Sequence, residues 1–599
     1  MALKQKLRSE TDKNYQWDLS LIYKTLEEWN KEYKEAEQEM KEISKYEKTV
    51  LDNANNLYDY LELDTKISRK LDKLYSFAHL SNDEDTTNTK NQELVGKIRN
   101  LYDEYSKINT FFKPLLLKED YKKIEKFYED CPTLKEYEFI LEQLFRYKEH
   151  TLNENEEKIV AEFSKSLSSP SEIFEKLTDA DMKFGDIIDE KGEKVEFTDS
   201  NYSRFIRSKN RRVRKDAFEI LYNTYSNYKN TLAETYASQL EVEAAISKIY
   251  NFNSAREESL YSDNIDVSVY DNLVTTVNDN LKELYKYYEF RKEVLNLDEQ
   301  HLYDTYVNLV EDIDKDYSFS EAKELVLKSL SVLGDDYIEI LNKAFDEKWI
   351  DVYNNVGKRG GAYSSGCYDT KPYILLNFEG KLDDVSTLAH ELGHSVHSYY
   401  SRKYNPYQYS DYTLFVAEVA STVNELLLNN YLLKNSKDKN EKISILNKQL
   451  ELFKSTIFRQ TMFAEFERDM HDLIEKKEVL THEVISNEYK KIVKKYFGES
   501  VYIDELIKYE WARIPHFYYN FYVYKYATGL SAASYIVTQI LNGDKEYIEK
   551  YKNFLKLGGR MYPLDELKTI DIDMTKQEVV ESAIKMFKNS LEEFKKLTR

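Results

Sequence analysis

Seven prolines and 15 glycines in 599 residues leave this chain little with which to interrupt a helix. Proline removes a backbone donor and clashes with the preceding turn, and glycine carries a large entropy cost inside a helix, so their scarcity permits long unbroken segments. Charged residues make up 32% of the chain. In stretches such as LEEWNKEYKEAEQEMKEISKYEK and NQELVGKIRNLYDEYSKINTFF they separate apolar residues that recur three or four positions apart. That spacing lines apolar side chains along one stripe of a helix, so residues 20–170 predict the surface helices of a bundle. A second run, opening at Asp199-Ser200, continues the pattern with smaller Ala and Ser residues that allow closer packing. The fold class is mainly α. The length exceeds the usual domain several times over, and a boundary near residue 200 divides a helical domain, 1–200, from a second domain, 201–599.

The formal net charge of -22 argues against a nucleic-acid partner, because a phosphate-binding surface needs concentrated Lys and Arg, and the basic runs here are interleaved with acids. Cys131 and Cys367 are too few for a disulfide framework in a chain this long, which suits a reducing compartment. The first residues, MALKQKLRSETDKNYQWDL, carry charges where a secretory apolar core would lie, and no window reaches the roughly 18 to 20 apolar residues of a membrane span. The expectation is a cytoplasmic protein with no membrane partner.

The helical pattern breaks once, from Gly357 to Gly380. Five of the 15 glycines fall in GKRGGAYSSGCYDTKPYILLNFEG, which also contains the β-type run Pro372 to Phe378. A small sheet is expected here, and an exposed strand beside the glycine loop could pair with an extended peptide.

Directly after it comes VSTLAHELGHSVHSYYS, with Asp383-Asp384 placed to cap a helix and Val385, Leu388, Leu392 and Val396 to pack it. His390 and His394 are four residues apart. Four helical residues turn about 400°, so both imidazoles leave one face and can share a metal ion, while Glu391, about 100° round from His390, can reach a water on that metal without ligating it. Neutral imidazoles suit Zn²⁺, and a site with three protein ligands keeps a fourth position for water. A structural zinc site would close with four ligands rich in Cys, and neither cysteine here belongs to a CxxC pair.

A metzincin would place a third His where this chain has Tyr400. The next apolar helix, TLFVAEVASTVNELLLNNYLL, carries Glu418 among Phe415, Val416, Ala417, Val419 and Ala420, where a carboxylate is costly unless a cation pairs with it. Glu418 is the expected third ligand. Glu425, seven residues on and close to the same face, is placed to orient a ligand histidine. His397, three residues past His394, could line the site or steady another group.

HELGHSVHSY, with the upstream GKRGGAYSSG and PYILLNFEG and the downstream FVAEVASTVNE, resembles the oligoendopeptidase F branch of the thimet oligopeptidase family of zinc metallopeptidases. NYQWDLSLIY, WARIPHFYYNFYVYKYATG and FLKLGGRMYPLDEL extend the likeness over most of the chain. The resemblance implies a two-lobed helical molecule of zincin type with a deep central channel, one zinc ion held by His390, His394 and Glu418, and endopeptidase action on short oligopeptides. It also implies that a His and a Tyr near the C-terminus polarise the scissile carbonyl and hold the oxyanion. His516, Tyr519 and Tyr522 are three apart in turn and would share a helical face, with Tyr518, Tyr524 and Tyr526 as alternatives. The glycine-rich stretch that precedes these tyrosines in the thimet oligopeptidase relatives is absent here.

These residues lead to metal-assisted peptide hydrolysis with Glu391 as general base. An exopeptidase such as a carboxypeptidase would use the same constellation. A helical scaffold with a vestigial metal site would not need Glu391.

Overall fold

In the computed structural model, which describes residues 6–310 and 315–599, the chain is mainly helical with five short strands among those residues. Strands β1 (Asp186–Ile188) and β2 (Lys194–Glu196) form an antiparallel hairpin with Ile187 opposite Val195. Strands β3 (Ile350–Asp351), β4 (Tyr363–Ser365) and β5 (Tyr373–Leu375) form a sheet in the order β3-β5-β4, in which β3 runs parallel and β4 antiparallel to β5. Strands β4 and β5 form the small sheet expected between Gly357 and Gly380, and β3 joins it from before that segment. No helix among the described residues is long and apolar enough to cross a membrane.

Packing divides the chain into two compact units, each assembled from separated stretches. The first contains residues 1–151, 315–431 and 539–570, and the second 152–314, 432–538 and 571–599. Residue 200, the boundary expected from the sequence, lies inside the second unit.

The first unit begins with helices α1 (Leu26–Ile43), α2 (Ala54–Glu84) and α3 (Thr89–Asn109). Thr25, Asn53 and Asn88 cap them by accepting hydrogen bonds from backbone N–H groups of the first turn, which otherwise lack partners. Trp29, Ala36, Met40 and Ile43 form the buried stripe of α1 and meet Leu57, Leu71 and Leu74 of α2, with the Trp29 indole donating to the Leu74 carbonyl at 3.1 Å. Tyr373 and Leu375 of β5 belong to the same core, so the bundle supports the sheet.

An N-terminal strap secures the sheet at β3. The backbone N–H groups of Val352 and Val356 donate to the carbonyls of Tyr15 and Lys6, and Arg8 bridges Glu84 and Asp351 at 2.7 and 2.6 Å. At Gly380 the chain turns with φ 89°, and a Cβ there would sit 2.9 Å from the Tyr317 carbonyl oxygen, leaving room only for glycine.

The second unit packs helices that include Arg211–Asn227, Lys229–Ile249, Gln460–Glu475, His482–Phe497 and Gln577–Thr598. Glu510 lies fully buried among them, accepting from Arg459 at 2.5 Å, Tyr489 at 2.6 Å and Tyr222 at 2.9 Å. Burial alone would raise its pKa, but Arg459, the Tyr489 hydroxyl and Arg513 together outweigh that and hold the carboxylate below its usual range.

Candidate metal centre and active site

The motif helix α4 spans Leu382–Tyr404. Its start differs from the expected Asp383-Asp384 cap. Lys381 occupies the cap position, and Asp384, inside the first turn, accepts from the backbone N–H of Lys381 at 2.8 Å and of Glu379 at 3.1 Å. Val385, Leu388, Leu392 and Val396 are buried as the apolar spacing required. Helix α5 (Leu414–Asn435) crosses α4 at Gly393, where a Cβ would meet Ser421 Cα at 2.6 Å and the Ala420 carbonyl oxygen at 2.7 Å. Asn424 of α5 donates to the Ala389 carbonyl at 3.1 Å and accepts from the Tyr337 hydroxyl at 2.9 Å. Gly393→Ala should therefore push the helices apart and destabilise the fold by about 1–3 kcal/mol, a typical overpacking cost. It should also weaken metal binding, because α4 and α5 each supply donor atoms; thermal denaturation and a zinc titration check the two effects.

That crossing brings His390, His394 and Glu418 together. The two Nε2 atoms are 3.2 Å apart, and Glu418 Oε2 lies 3.4 Å from His390 Nε2 and 3.6 Å from His394 Nε2. Ligands at about 2.0–2.1 Å from a tetrahedral ion stand roughly 3.3 Å from one another, so these donors are spaced for one metal ion. They are the metal-capable group found among the described residues. The sequence argument for Glu418 rested on burial, and there the structure differs. Phe415, Val416, Val419 and Ala420 are buried, but the Glu418 side chain is 45% exposed and turns out of the apolar seam toward the imidazoles.

Glu425 makes a very short contact to His390 Nδ1. With the proton on Nδ1 and donated to that carboxylate, Nε2 keeps its lone pair for a metal. His394 is held by a hydrogen bond to the Ala417 backbone. His397 supplies no fourth donor. It is buried and stacks on Tyr412 with ring centroids 3.6 Å apart, and the Tyr412 hydroxyl meets Ser398 Oγ at 3.0 Å and the His394 carbonyl at 3.5 Å. Burial lowers the His397 pKa to about 3, so the ring is neutral and steadies α4.

Glu391 is buried and outside the donor group, with the Ser364 backbone of β4 hydrogen-bonded to it. Desolvation raises its pKa to about 7, the nearby Glu418 and Glu425 adding to the rise and His390 opposing it. A carboxyl poised there can both take and return a proton near neutral pH.

His516, Tyr519 and Tyr522 lie in the second unit and do not share a helical face as expected. His516 is on a 3-10 turn, Pro515–Tyr518, and the chain then passes through two left-handed residues, Asn520 (φ 35°) and Phe521 (φ 55°), before a helix starts at Tyr524. The turn folds the rings together by another route. His516 lies 5.9 Å from Tyr519, 6.2 Å from Tyr522 and 6.1 Å from Tyr526 between centroids. Tyr526 therefore joins the cluster. Tyr518 points away to Thr235, 3.0 Å from its hydroxyl, and Tyr524 packs against Tyr270 at 5.1 Å. Partial burial lowers the His516 pKa, which favours a neutral imidazole.

The profile of peptidase family M3 matches residues 204–586, and that described as oligopeptidase F matches residues 116–184. The chain is 44% identical over 590 residues to oligopeptidase PepF of Bacillus subtilis, covering 98% of this chain and 88% of that one. It is 40% identical to group B oligopeptidase PepB of Streptococcus agalactiae, with 98% of both chains covered. Among solved structures, a candidate peptidase from Chlamydophila abortus matches with a TM-score of 0.93 and 37% identity over 99% of this chain and 100% of that one. Oligoendopeptidase-F from Enterococcus faecium matches with a TM-score of 0.74 and 35% identity over 96% and 99%. With the family profile covering more than half of its length and these relatives nearly all of it, the chain belongs to peptidase family M3, in its oligopeptidase F branch.

Proposed function

We propose that this peptidase is a zinc-dependent oligoendopeptidase that cleaves internal bonds of short, extended peptides. The observation that carries the reading is the set of three donor atoms 3.2–3.6 Å apart, beside a carboxyl that is not one of them. His390, His394 and Glu418 hold one zinc ion, and Glu425 orients His390. Bound there, zinc supplies Lewis acidity, polarising a carbonyl and lowering the pKa of a coordinated water to about 7. Glu391 accepts the water's proton and delivers it to the leaving amine. His516 with Tyr519 or Tyr522 donates hydrogen bonds to the developing oxyanion.

Among the described residues β4 pairs with no strand but β5, and we assign its other edge to an extended peptide. The Glu391–Ser364 contact ties that strand to the general base. The separate matches at 116–184 and 204–586 support reading 1–200 as a helical domain and 201–599 as the catalytic domain. The helical domain supplies none of the proposed catalytic groups, and we assign it to the wall of a channel that limits access. Cys131 and Cys367, both free and buried, support a reducing compartment, the cytoplasm.

The test is a series of end-blocked peptides of increasing length with one common cleavage site, run beside an unfolded protein containing that site. Short end-blocked peptides should be cut and the long chain should resist. Equal rates across the series reject the channel, and failure on every end-blocked peptide favours an exopeptidase.

A further inference from the structure

The left-handed pair Asn520-Phe521 is a costly conformation for residues with side chains, above all for Phe. It persists because three side chains from two other helices hold it. The buried Phe521 N–H donates to Glu467 Oε1 at 2.7 Å. The Ser259 hydroxyl donates to the Asn520 carbonyl at 2.6 Å, and the Asn520 amide donates to Glu258 at 3.1 Å. Glu467 belongs to helix Gln460–Glu475, and Glu258 and Ser259 to helix Ala255–Tyr261. Below the turn, His471, one helical turn beyond Glu467, packs its ring 4.3 Å from that of Phe521.

Glu467 is an unusual residue to find there. It is completely buried, no basic group among the described residues pairs with it, and desolvation raises its pKa well above the usual carboxylate range, with Glu243 adding to the rise. Its role is that of an acceptor for one backbone N–H. That hydrogen bond lies in the chain reversal that gathers His516, Tyr519, Tyr522 and Tyr526, a reversal made without glycine.

We infer that Glu467 is a positioning residue for the transition-state-binding segment, acting through the Phe521 backbone, with Ser259 and Glu258 as the outer half of the clamp. This rests on the reading that His516 and Tyr519 or Tyr522 hold the oxyanion. Misplacing a catalytic group by about 1 Å can cost about 10²-fold in rate, so Glu467→Leu should lower kcat by roughly 10- to 100-fold with KM and zinc content within about twofold of wild type. Glu467→Gln keeps a carbonyl acceptor at the same place and should restore kcat to within about twofold.

The experiment measures kcat, KM, zinc content and melting temperature for Glu467→Leu, Glu467→Gln, Ser259→Ala, His516→Ala, and the Tyr519→Phe Tyr522→Phe double variant. If the last two are impaired while Glu467→Leu and Ser259→Ala turn over normally, the inference fails and the oxyanion reading stands. If His516→Ala and the double variant also work normally, the reading beneath it fails. Should Glu467→Leu not fold, Ser259→Ala decides, since its partly buried hydroxyl contributes one hydrogen bond to the turn. A fall in kcat at constant KM supports the clamp, and an unchanged kcat overturns it. A Glu467→Gln variant as slow as Glu467→Leu also overturns it, because the acceptor would then not be what matters.

Discussion

Glu391→Gln should retain zinc and its fold but lose about 10³- to 10⁴-fold in kcat, the upper range for removing a general base. The amide has the shape of the carboxyl, and its oxygen can still accept the hydrogen bond linking residue 391 to the Ser364 backbone. What it cannot do is take a proton. His390, His394 and Glu418 are untouched, so metal affinity should stay within a few-fold of wild type. Stability should not fall either, because the substitution removes a buried ionisable group whose charged form burial disfavours. Turnover of an end-blocked peptide, metal content and melting temperature measured on one preparation give three independent readings. Near wild-type turnover with normal zinc would remove Glu391 from the reaction and revive the vestigial scaffold.

The parts of the site written within one helix were legible in the sequence. His390 and His394 converge because four residues of α-helix return to one face whatever surrounds them, and the observed 3.2 Å between their Nε2 atoms is that periodicity made concrete. Glu425 was legible for a related reason, lying seven residues from Glu418 on α5, so that one helix face reaches both sides of His390. Glu418 was found by an argument only half right, since its neighbours are buried and its own carboxylate is not.

The clustering of His516 with the tyrosines followed a different logic. A three-residue spacing suggested a helical face, but the conformation of Asn520-Phe521 is decided by groups distant in sequence, Glu467 and Glu258, and nothing local in PHFYYNFYVYKY announces a left-handed turn. Asn tolerates that region and Phe resists it, so local propensity pointed the wrong way. The assembly of each compact unit from separated stretches was hidden for the same reason. Each unit joins stretches that the other unit's chain separates, and apolar periodicity shows that a helix has a buried face without showing which distant helix covers it.

Zinc affinity should separate Glu418 from Glu425, although both carboxylates approach His390. Glu425→Gln leaves three donors in place and changes only the acceptor beside Nδ1, a substitution of a kind that typically costs about 10- to 100-fold in metal affinity. Glu418→Ala removes a donor and leaves two imidazoles, so its loss should be the greater, and excess zinc should restore turnover to Glu425→Gln more readily than to Glu418→Ala. Folding does not confuse the comparison. The Glu418 side chain is 45% exposed, and the Ser421 hydroxyl that donates to it at 3.1 Å also has the Glu418 backbone carbonyl at 3.0 Å, so the metal-free Glu418→Ala protein should melt close to metal-free wild type. Zinc bound to the folded state would stabilise it by mass action, so the wild-type melting temperature should rise with zinc concentration. That rise should shift to higher zinc in Glu425→Gln and nearly vanish in Glu418→Ala. Competition against a chelator of known affinity supplies the dissociation constants. If Glu418→Ala instead keeps stoichiometric zinc where wild type does, the third ligand is another group, and Glu425, already against His390, is the first to examine by the same substitution.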